Sequence, residues 1–219
     1  MRPLRIILTA CGCPGASTLI NMLRNNGERN MEIIGTDMDE EAVGRYLADK
    51  FYIVPSGNSK KYIPRMLEIV EKEEADVVFP ESSNEVYSLA CNKEHFLKLG
   101  TKVLVSDPEP IKVSNNKYRM YETLRKNTDI DLPKYVSVES LDQFLEGLER
   151  LGYPETPVVF KPHSGKGSRG VRILDPKIDR IEHLLKEKPI SKYMSLQAFE
   201  EIFSEVENFP KLLVMEFLE

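Results

Sequence analysis

Cysteine is scarce in this chain, long apolar runs are absent, and basic residues are not in excess. The three cysteines, Cys11, Cys13 and Cys91, are too few and too unevenly numbered for a disulfide framework, so they indicate a reducing compartment. Cys11 and Cys13 could in principle form a metal or redox pair. Because no second Cys/His pair accompanies them, we interpret them as packing residues.

The lack of long apolar segments argues against a membrane protein, because no run approaches the length of a bilayer span. The short apolar segment at residues 4–9 ends at Gly12-Cys13-Pro14-Gly15, and no small-residue cleavage site follows. It therefore fits a buried first strand better than a signal peptide. We expect a cytoplasmic protein with no membrane partner.

The charge balance excludes a general nucleic-acid surface. The chain has 30 Lys and Arg residues against 35 Asp and Glu residues, a formal net charge of −5 at pH 7. Binding to a phosphate backbone requires a basic patch, which this composition does not favour. With 41% hydrophobic and 30% charged residues, the composition indicates a folded globular protein.

In the first half of the chain, short apolar runs alternate with amphipathic helices. We predict strands at residues 4–9, 31–36, 51–54, 77–80 and 103–105, and helices at residues 15–26, 40–48, 62–73 and 85–99. Strands separated by helices imply a parallel sheet with right-handed crossovers. The predicted fold class is α/β, with a Rossmann-like domain over residues 1–110.

The pattern changes after Asp107-Pro108-Glu109-Pro110. Beyond these prolines we predict helices at residues 113–126, 141–151, 178–186 and 195–207, and strands at residues 132–138 and 212–215 with a hairpin around residues 158–173. This order is α+β and does not continue the parallel sheet. We assign residues 111–219 to a second, different domain.

The predicted hairpin carries the strongest chemical signal. Lys161 ends an apolar run, and a small-residue loop with Gly165, Gly167 and Ser168 follows. The loop also contains two more cations, Lys166 and Arg169. Glycines let a backbone approach an anion, and cations supply charge to a polyphosphate, so the hairpin is typical of a phosphate site. The alternative is a basic hairpin tip that binds nothing.

Gly12 and Asp37 only partly match a dinucleotide fingerprint. Gly12 follows the first strand and Asp37 ends the second, but position 14 is proline and position 17 is serine. An anion at the first helix, or no ligand, is the preferred interpretation. An NAD(P)-linked oxidoreductase remains an alternative.

Two further segments are informative only in combination. Asn116-Lys117-Tyr118 opens a predicted helix, where a cation is mildly unfavourable, although a lone lysine there is usually solvated. The final apolar strand ends at Glu216, followed by Phe217 and Leu218. His163, in the predicted hairpin loop, could touch a phosphate.

Taken in order, these segments resemble the ATP-grasp superfamily, most closely single-module proteins similar to the carbamoyl phosphate synthase large subunit. The resemblance implies that residues 1–110 form the Rossmann-like domain preceding the ATP-grasp domain. Residues 111–219 would then form a linker helix and the first α+β half of the ATP-grasp domain. The implied ATP-binding residues are Lys117 and Lys161 at the phosphates, Gly165, Gly167 and Ser168 in the loop covering them, Glu216 at the adenine amino group, and the backbone of Phe217 and Leu218 at the adenine edge.

The resemblance also implies an activity, an ATP- and Mg²⁺-dependent ligase that activates a small carboxylate as an acyl phosphate for attack by an amine or ammonia. Magnesium ligands would lie in a second half of the domain, beyond Glu219, and no catalytic base is visible. We therefore expect an N-terminal part of a longer enzyme that is inactive alone. The expected protein partner is a second copy in a homodimer or a separate C-terminal chain. A non-enzymatic nucleotide or metabolite sensor is the alternative.

Overall fold

The computed structural model describes residues 2–165, 167–178 and 191–218. The chain divides into two compact units, Met1–Lys112 and Val113–Glu219. Each unit has its own sheet and its own apolar core. Within the described ranges, no helix is both long and apolar enough to cross a membrane.

The first unit is built on a five-stranded parallel sheet in the order β3-β2-β1-β4-β5. Its strands are β1 Leu4–Leu8, β2 Met31–Asp37, β3 Lys50–Ile53, β4 Val77–Phe79 and β5 Lys102–Val103. This topology confirms the predicted Rossmann-like α/β fold. Because β1 is the central strand, Ile6, Ile7 and Leu8 are buried on both faces of the sheet, as this apolar run indicates.

Helices cover both faces of this sheet. They are α1 Ala16–Arg24, α2 Gly44–Leu47, α3 Tyr62–Glu73, α4 Ser83–Cys91 and α5 Lys93–Lys98. Side-chain alternation along β1 divides the core, because Ile7 packs in the cluster of α3, α4 and α5, whereas Leu8 packs in that of α1.

Cys11 is a packing residue, as its isolation in the sequence predicted. It is fully buried and its thiol donates to the carbonyl of Leu8 at 3.1 Å. Burial raises the pKa of this thiol to about 12. A Cβ on Gly44 would lie only 2.1 Å from the Cβ of Cys11, so the close packing of α2 requires glycine at position 44.

The single helix predicted at residues 85–99 is wrong, because the chain forms α4 and α5 with a break at Asn92. The Asn92 side-chain amide donates to the carbonyl of Ser88 at 2.8 Å, and this bond replaces a helical one at the end of α4. The helix predicted at residues 40–48 is also shorter, since only Gly44–Leu47 is helical. There the Asp39 carboxylate accepts from the backbone N–H of Glu41 and holds a turn instead.

The second unit contains a four-stranded antiparallel sheet in the order β6-β9-β7-β8. Its strands are β6 Tyr135–Val138, β7 Val158–Pro162, β8 Arg172–Leu174 and β9 Leu212–Glu216. The pairing of β7 with β8 confirms the predicted hairpin. The last strand in sequence, β9, lies between β6 and β7.

The core of the second unit lies on one face of this sheet, under α8 Leu141–Arg150 and α9 Leu196–Ser204. Phe199 of α9 stacks on Phe144 of α8 with ring centroids 3.9 Å apart, and it meets Phe160 of β7 edge to face at 4.9 Å. These three rings join both helices to the sheet.

Two helices, α6 Pro108–Ser114 and α7 Lys117–Asn127, replace the one predicted at residues 113–126. Asn116 separates them because its backbone is extended and its side chain accepts from the N–H of Arg119, which makes it the N-cap of α7. The helix predicted at residues 178–186 lies almost entirely outside the described residues, which omit 179–190.

We expect Phe199→Ala to destabilise the second unit by about 3–5 kcal/mol, because it leaves a cavity beneath two aromatic partners. Urea unfolding followed by far-UV circular dichroism measures the change. Ile202→Ala, on the same helix but 52% exposed, is the matched control and should cost about 1 kcal/mol or less. Equal losses in the two variants would contradict this account of the core.

Candidate functional site

Lys117 is the first residue of α7, and two contacts attach it to the segment that follows β7. Its backbone N–H donates to the carbonyl of His163 at 2.8 Å. Its ammonium donates to the carbonyl of Gly165 at 3.2 Å. The first turn of α7 and the loop of the hairpin are therefore in direct contact.

Lys161 lies on β7, and its ammonium is 5.6 Å from the ring centroid of Tyr121 on α7, a cation–π distance. Strand alternation explains the direction of this side chain. Val158 and Phe160 belong to the core cluster, so Lys161 lies on the opposite face of the sheet.

The two lysines influence each other electrostatically. Burial lowers the pKa of Lys117. Burial also lowers the pKa of Lys161, and the positive charge of Lys117 lowers it further. In the part of the chain that the structure describes, neither ammonium has an aspartate or glutamate within ion-pair distance. Two half-buried cations without a counter-ion form a site that favours an anion.

Aromatic rings surround this pair of cations on the α7 face of the sheet. Tyr118 stacks on His163 with centroids 5.3 Å apart and planes at 16°. Tyr121 lies 5.0 Å from Tyr135 of β6. From the sequence, Tyr118 was noted only as part of the helix start and Tyr121 was not singled out, although their spacing of three residues places them on one helix face.

His163 does not project into the loop as the sequence suggested. It is 7% exposed, its ring nitrogen Nε2 lies 3.1 Å from the hydroxyl of Ser137, and its other neighbour is the Tyr118 ring. A contact between His163 and a phosphate stays a prediction. The stacked ring and the bonded nitrogen are already engaged within the unit.

The small-residue loop is exposed beside Lys117. Gly165, Gly167 and Ser168 are all solvent-exposed, and Gly167 and Ser168 have positive φ values of 60° and 57°. Between described residues, their backbone N–H groups make no hydrogen bond. These donors are therefore available to a ligand. Lys166 lies outside the described residues.

Glu216, Phe217 and Leu218 lie at and just beyond the end of β9. The Glu216 carboxylate accepts from the N–H of Lys134 at 2.9 Å, and alternation puts its side chain on the face of Leu212 and Val214, opposite to Lys161. Phe217 is half-buried and Leu218 is 64% exposed. The adenine-binding role of these three residues stays a prediction.

In the first unit, Asp37 and Gly12 are engaged with each other. The Asp37 carboxylate accepts from the N–H of Gly12 at 2.7 Å and from the N–H of Asp39 at 2.9 Å. A Cβ at position 12 would lie 3.0 Å from this carboxylate and 3.2 Å from Ala42. Internal packing therefore explains this glycine, without a dinucleotide.

Comparison with known proteins covers both units. Residues 6–104 match the PylC-like N-terminal domain family. The formate-dependent phosphoribosylglycinamide formyltransferase of Thermococcus kodakarensis is 24% identical over 168 residues, covering 77% of this chain and 36% of that protein. The carbamoyl phosphate synthase large chain of Clostridium acetobutylicum is 26% identical over 149 residues, covering 68% of this chain and 12% of that protein.

Among solved structures, the ADP complex of N5-carboxyaminoimidazole ribonucleotide synthetase has a TM-score of 0.62 at 18% identity. The alignment covers 100% of this chain and 48% of that one. The fold is that of the ATP-grasp ligases. Two further neighbours, complexes with ADP and with MgADP, have TM-scores of 0.63 and 0.55.

These findings confirm the resemblance inferred from the sequence. They also show that the chain spans about a third of the formyltransferase and about half of the synthetase to which it is similar. The part of the ATP-grasp fold present in this chain contains the two-lysine site.

We expect Lys117→Met to raise the pKa of Lys161, because removal of the neighbouring positive charge makes the charged form of Lys161 more favourable. Reductive methylation with ¹³C-formaldehyde and NMR titration of the lysine signals measures this pKa. Lys126→Met, at the exposed end of the same helix, is the control and should leave it unchanged. An unchanged Lys161 pKa in Lys117→Met would show that the two charges do not interact.

Proposed function

We propose that this chain is part of an ATP-grasp ligase and that its second unit binds the phosphates of ATP. The observation that carries the proposal is the pair of half-buried ammonium groups, Lys117 and Lys161, with no carboxylate partner in the described residues. A polyphosphate carries several negative charges and so can supply a counter-charge to both ammonium groups.

Other groups of the second unit suit the rest of a nucleotide. The exposed N–H groups of Gly165, Gly167 and Ser168 are suitable donors to phosphate oxygens. The backbone of Phe217 and Leu218, beyond the end of β9, would read the edge of the adenine. We also retain Glu216 as a contact for the adenine amino group, which it would make with its backbone or after its carboxylate leaves Lys134.

The proposed reaction is ATP-dependent activation of a small carboxylate as an acyl phosphate, followed by attack of an amine or ammonia. In this reaction Lys117 and Lys161 hold and neutralise the phosphate that is transferred, an electrostatic role without proton transfer. No aspartate, histidine or other base of the described site is assigned to catalysis.

Magnesium is expected from the resemblance to ATP-grasp ligases and is not assigned to residues of this chain. Among described residues no group of three or more His, Cys, Asp or Glu side chains is placed to hold a metal ion. We propose that Mg²⁺ accompanies ATP, and no step is assigned to it through residues of this chain. The carboxylate and the amine also stay undetermined.

We expect ATP and inorganic tripolyphosphate to bind the protein competitively, and more weakly as ionic strength rises. Lys117→Met and Lys161→Met should each reduce ATP affinity about tenfold, because each removes a charge-assisted contact. Isothermal titration calorimetry measures both ligands. Lys126→Met is the matched control and should bind as the parent protein does.

Two results would contradict the phosphate site. One is equal ATP affinity in the parent and in both lysine variants. The other is tight binding of NADH or NADPH with no binding of ATP, which would favour the oxidoreductase alternative at Gly12 and Asp37.

We further expect the 219-residue protein to bind ATP without turning it over. A coupled assay for ADP, run with MgATP and with bicarbonate, acetate or amino acids as carboxylates, measures turnover. Sustained ADP release above one equivalent, lost in Lys161→Met, would show that this chain is an active enzyme by itself. ATP binding in the absence of turnover is also what a nucleotide sensor would show. Gain of activity on addition of a separately expressed ATP-grasp C-terminal half favours the ligase.

A further inference from the structure

The helix that carries Lys117 is only partly buried, since none of its residues is fully buried. Its contacts with the sheet are made by the half-buried Tyr118 and Tyr121 and by Glu122, whose carboxylate accepts from the hydroxyl of Tyr135 at 2.8 Å. At the first turn, Lys117 and Tyr118 are held by contacts with His163 and Gly165.

His163 makes two of these contacts. Through its backbone it joins neighbouring segments, because its N–H donates to the carbonyl of Lys211 at 3.1 Å while its carbonyl accepts from the N–H of Lys117 at 2.8 Å. Through its side chain it stacks on Tyr118, the residue next to Lys117. One residue thus attaches both the backbone and the aromatic face of the first turn of α7 to the sheet.

The ring itself is fixed from the other side. Its Nε2 lies 3.1 Å from the hydroxyl of Ser137 on β6, and Tyr118 also meets Tyr135 of β6 edge to face at 6.4 Å. The ring of His163 is therefore held on one side by Tyr118 and at Nε2 by Ser137.

The charge state of His163 fits a positioning role. Burial lowers the pKa of His163, and it outweighs the opposing effects of the backbone at Leu212 and of Glu139, while the charges of Lys211 and Lys117 add a smaller lowering. The ring is therefore neutral near pH 7 and adds no third positive charge to the site. Its contribution is geometric.

We propose that His163, stacked on Tyr118, is a positioning residue that sets the place of the Lys117 ammonium relative to Lys161 and thereby the affinity of the site for polyphosphate. The part of this proposal that concerns polyphosphate affinity rests on the proposed function. The placement of Lys117 can be measured without any ligand, so the two proposals can fail separately.

The first measurement is the pKa of Lys117 in the ligand-free protein, by NMR of ¹³C-methylated lysines with Lys117→Met used for assignment. We expect His163→Leu and Tyr118→Leu to raise this pKa toward its ordinary value, because the first turn of α7 opens to water. His163→Phe keeps a stacking ring without a ring nitrogen and should restore the low pKa. His95→Leu, an exposed histidine of the first unit, is the matched control.

The second measurement is ATP affinity by calorimetry. We expect His163→Leu and Tyr118→Leu each to weaken ATP binding about tenfold, and the double variant to be no weaker than either single one, because both disrupt the same stack. Circular dichroism confirms folding, and if His163→Leu does not fold, Tyr118→Leu and His163→Phe decide the question.

The outcomes separate cleanly. An unchanged Lys117 pKa in folded His163→Leu and Tyr118→Leu overturns the positioning role. Fully additive losses of ATP affinity overturn the shared stack. If the parent protein binds neither ATP nor tripolyphosphate, the proposed function fails, whereas a Lys117 pKa that responds to His163→Leu and is restored in His163→Phe still supports the placement of Lys117 by His163.

Discussion

The main electrostatic constraint in the candidate site is the partial burial of two ammonium groups that have no carboxylate partner among the described residues. Lys117 and Lys161 come from different elements, a helix start and a strand, and each is half-buried on the same face of the sheet. Folding alone does not favour such a pair, since burial and the charge of Lys117 both disfavour the charged form of Lys161. An anion placed beside the two ammonium groups would favour their charged forms.

In the second unit, the two lysines and the apolar core lie on opposite faces of the sheet. One face carries Val158, Phe160 and Leu174 and buries them against the phenylalanines of α8 and α9. The other face carries the site and is covered by tyrosines, which combine apolar packing with a polar hydroxyl. Strand alternation thus places stability and chemistry on the same strands without mixing them.

The sequence was sufficient for the elements whose apolar periodicity is strong. The buried strands of the parallel sheet, the amphipathic helix α3 and the hairpin of β7 and β8 were predicted and are present. Helix ends were less predictable. Asn92 and Asn116 interrupt apparently continuous helical patterns because their side chains bond to backbone groups, a local competition that periodicity does not report.

The candidate site shows the same division. Lys117 and Lys161 were identified from their places at element ends, and the structure brings their segments together. The orientation of the His163 ring depends on its stack with Tyr118, which lies 45 positions earlier in the sequence. No local sequence pattern encodes such a contact. Likewise, the carboxylate of Glu216 bonds to the backbone of Lys134, a pairing that exists only once the sheet has formed.

The central place of β9 has a consequence for the order of folding. Tyr135 of β6 and Val159 of β7 both pair with Met215, so β9 links two parts of the sheet that have no pairing with each other. During synthesis, β6 and the hairpin emerge from the ribosome long before the strand that joins them. The sheet of the second unit can close only after residue 216 is available, whereas the parallel sheet of the first unit needs nothing beyond β5. Until β9 is available, β6 and β7 each have an unpaired edge that can pair with another strand.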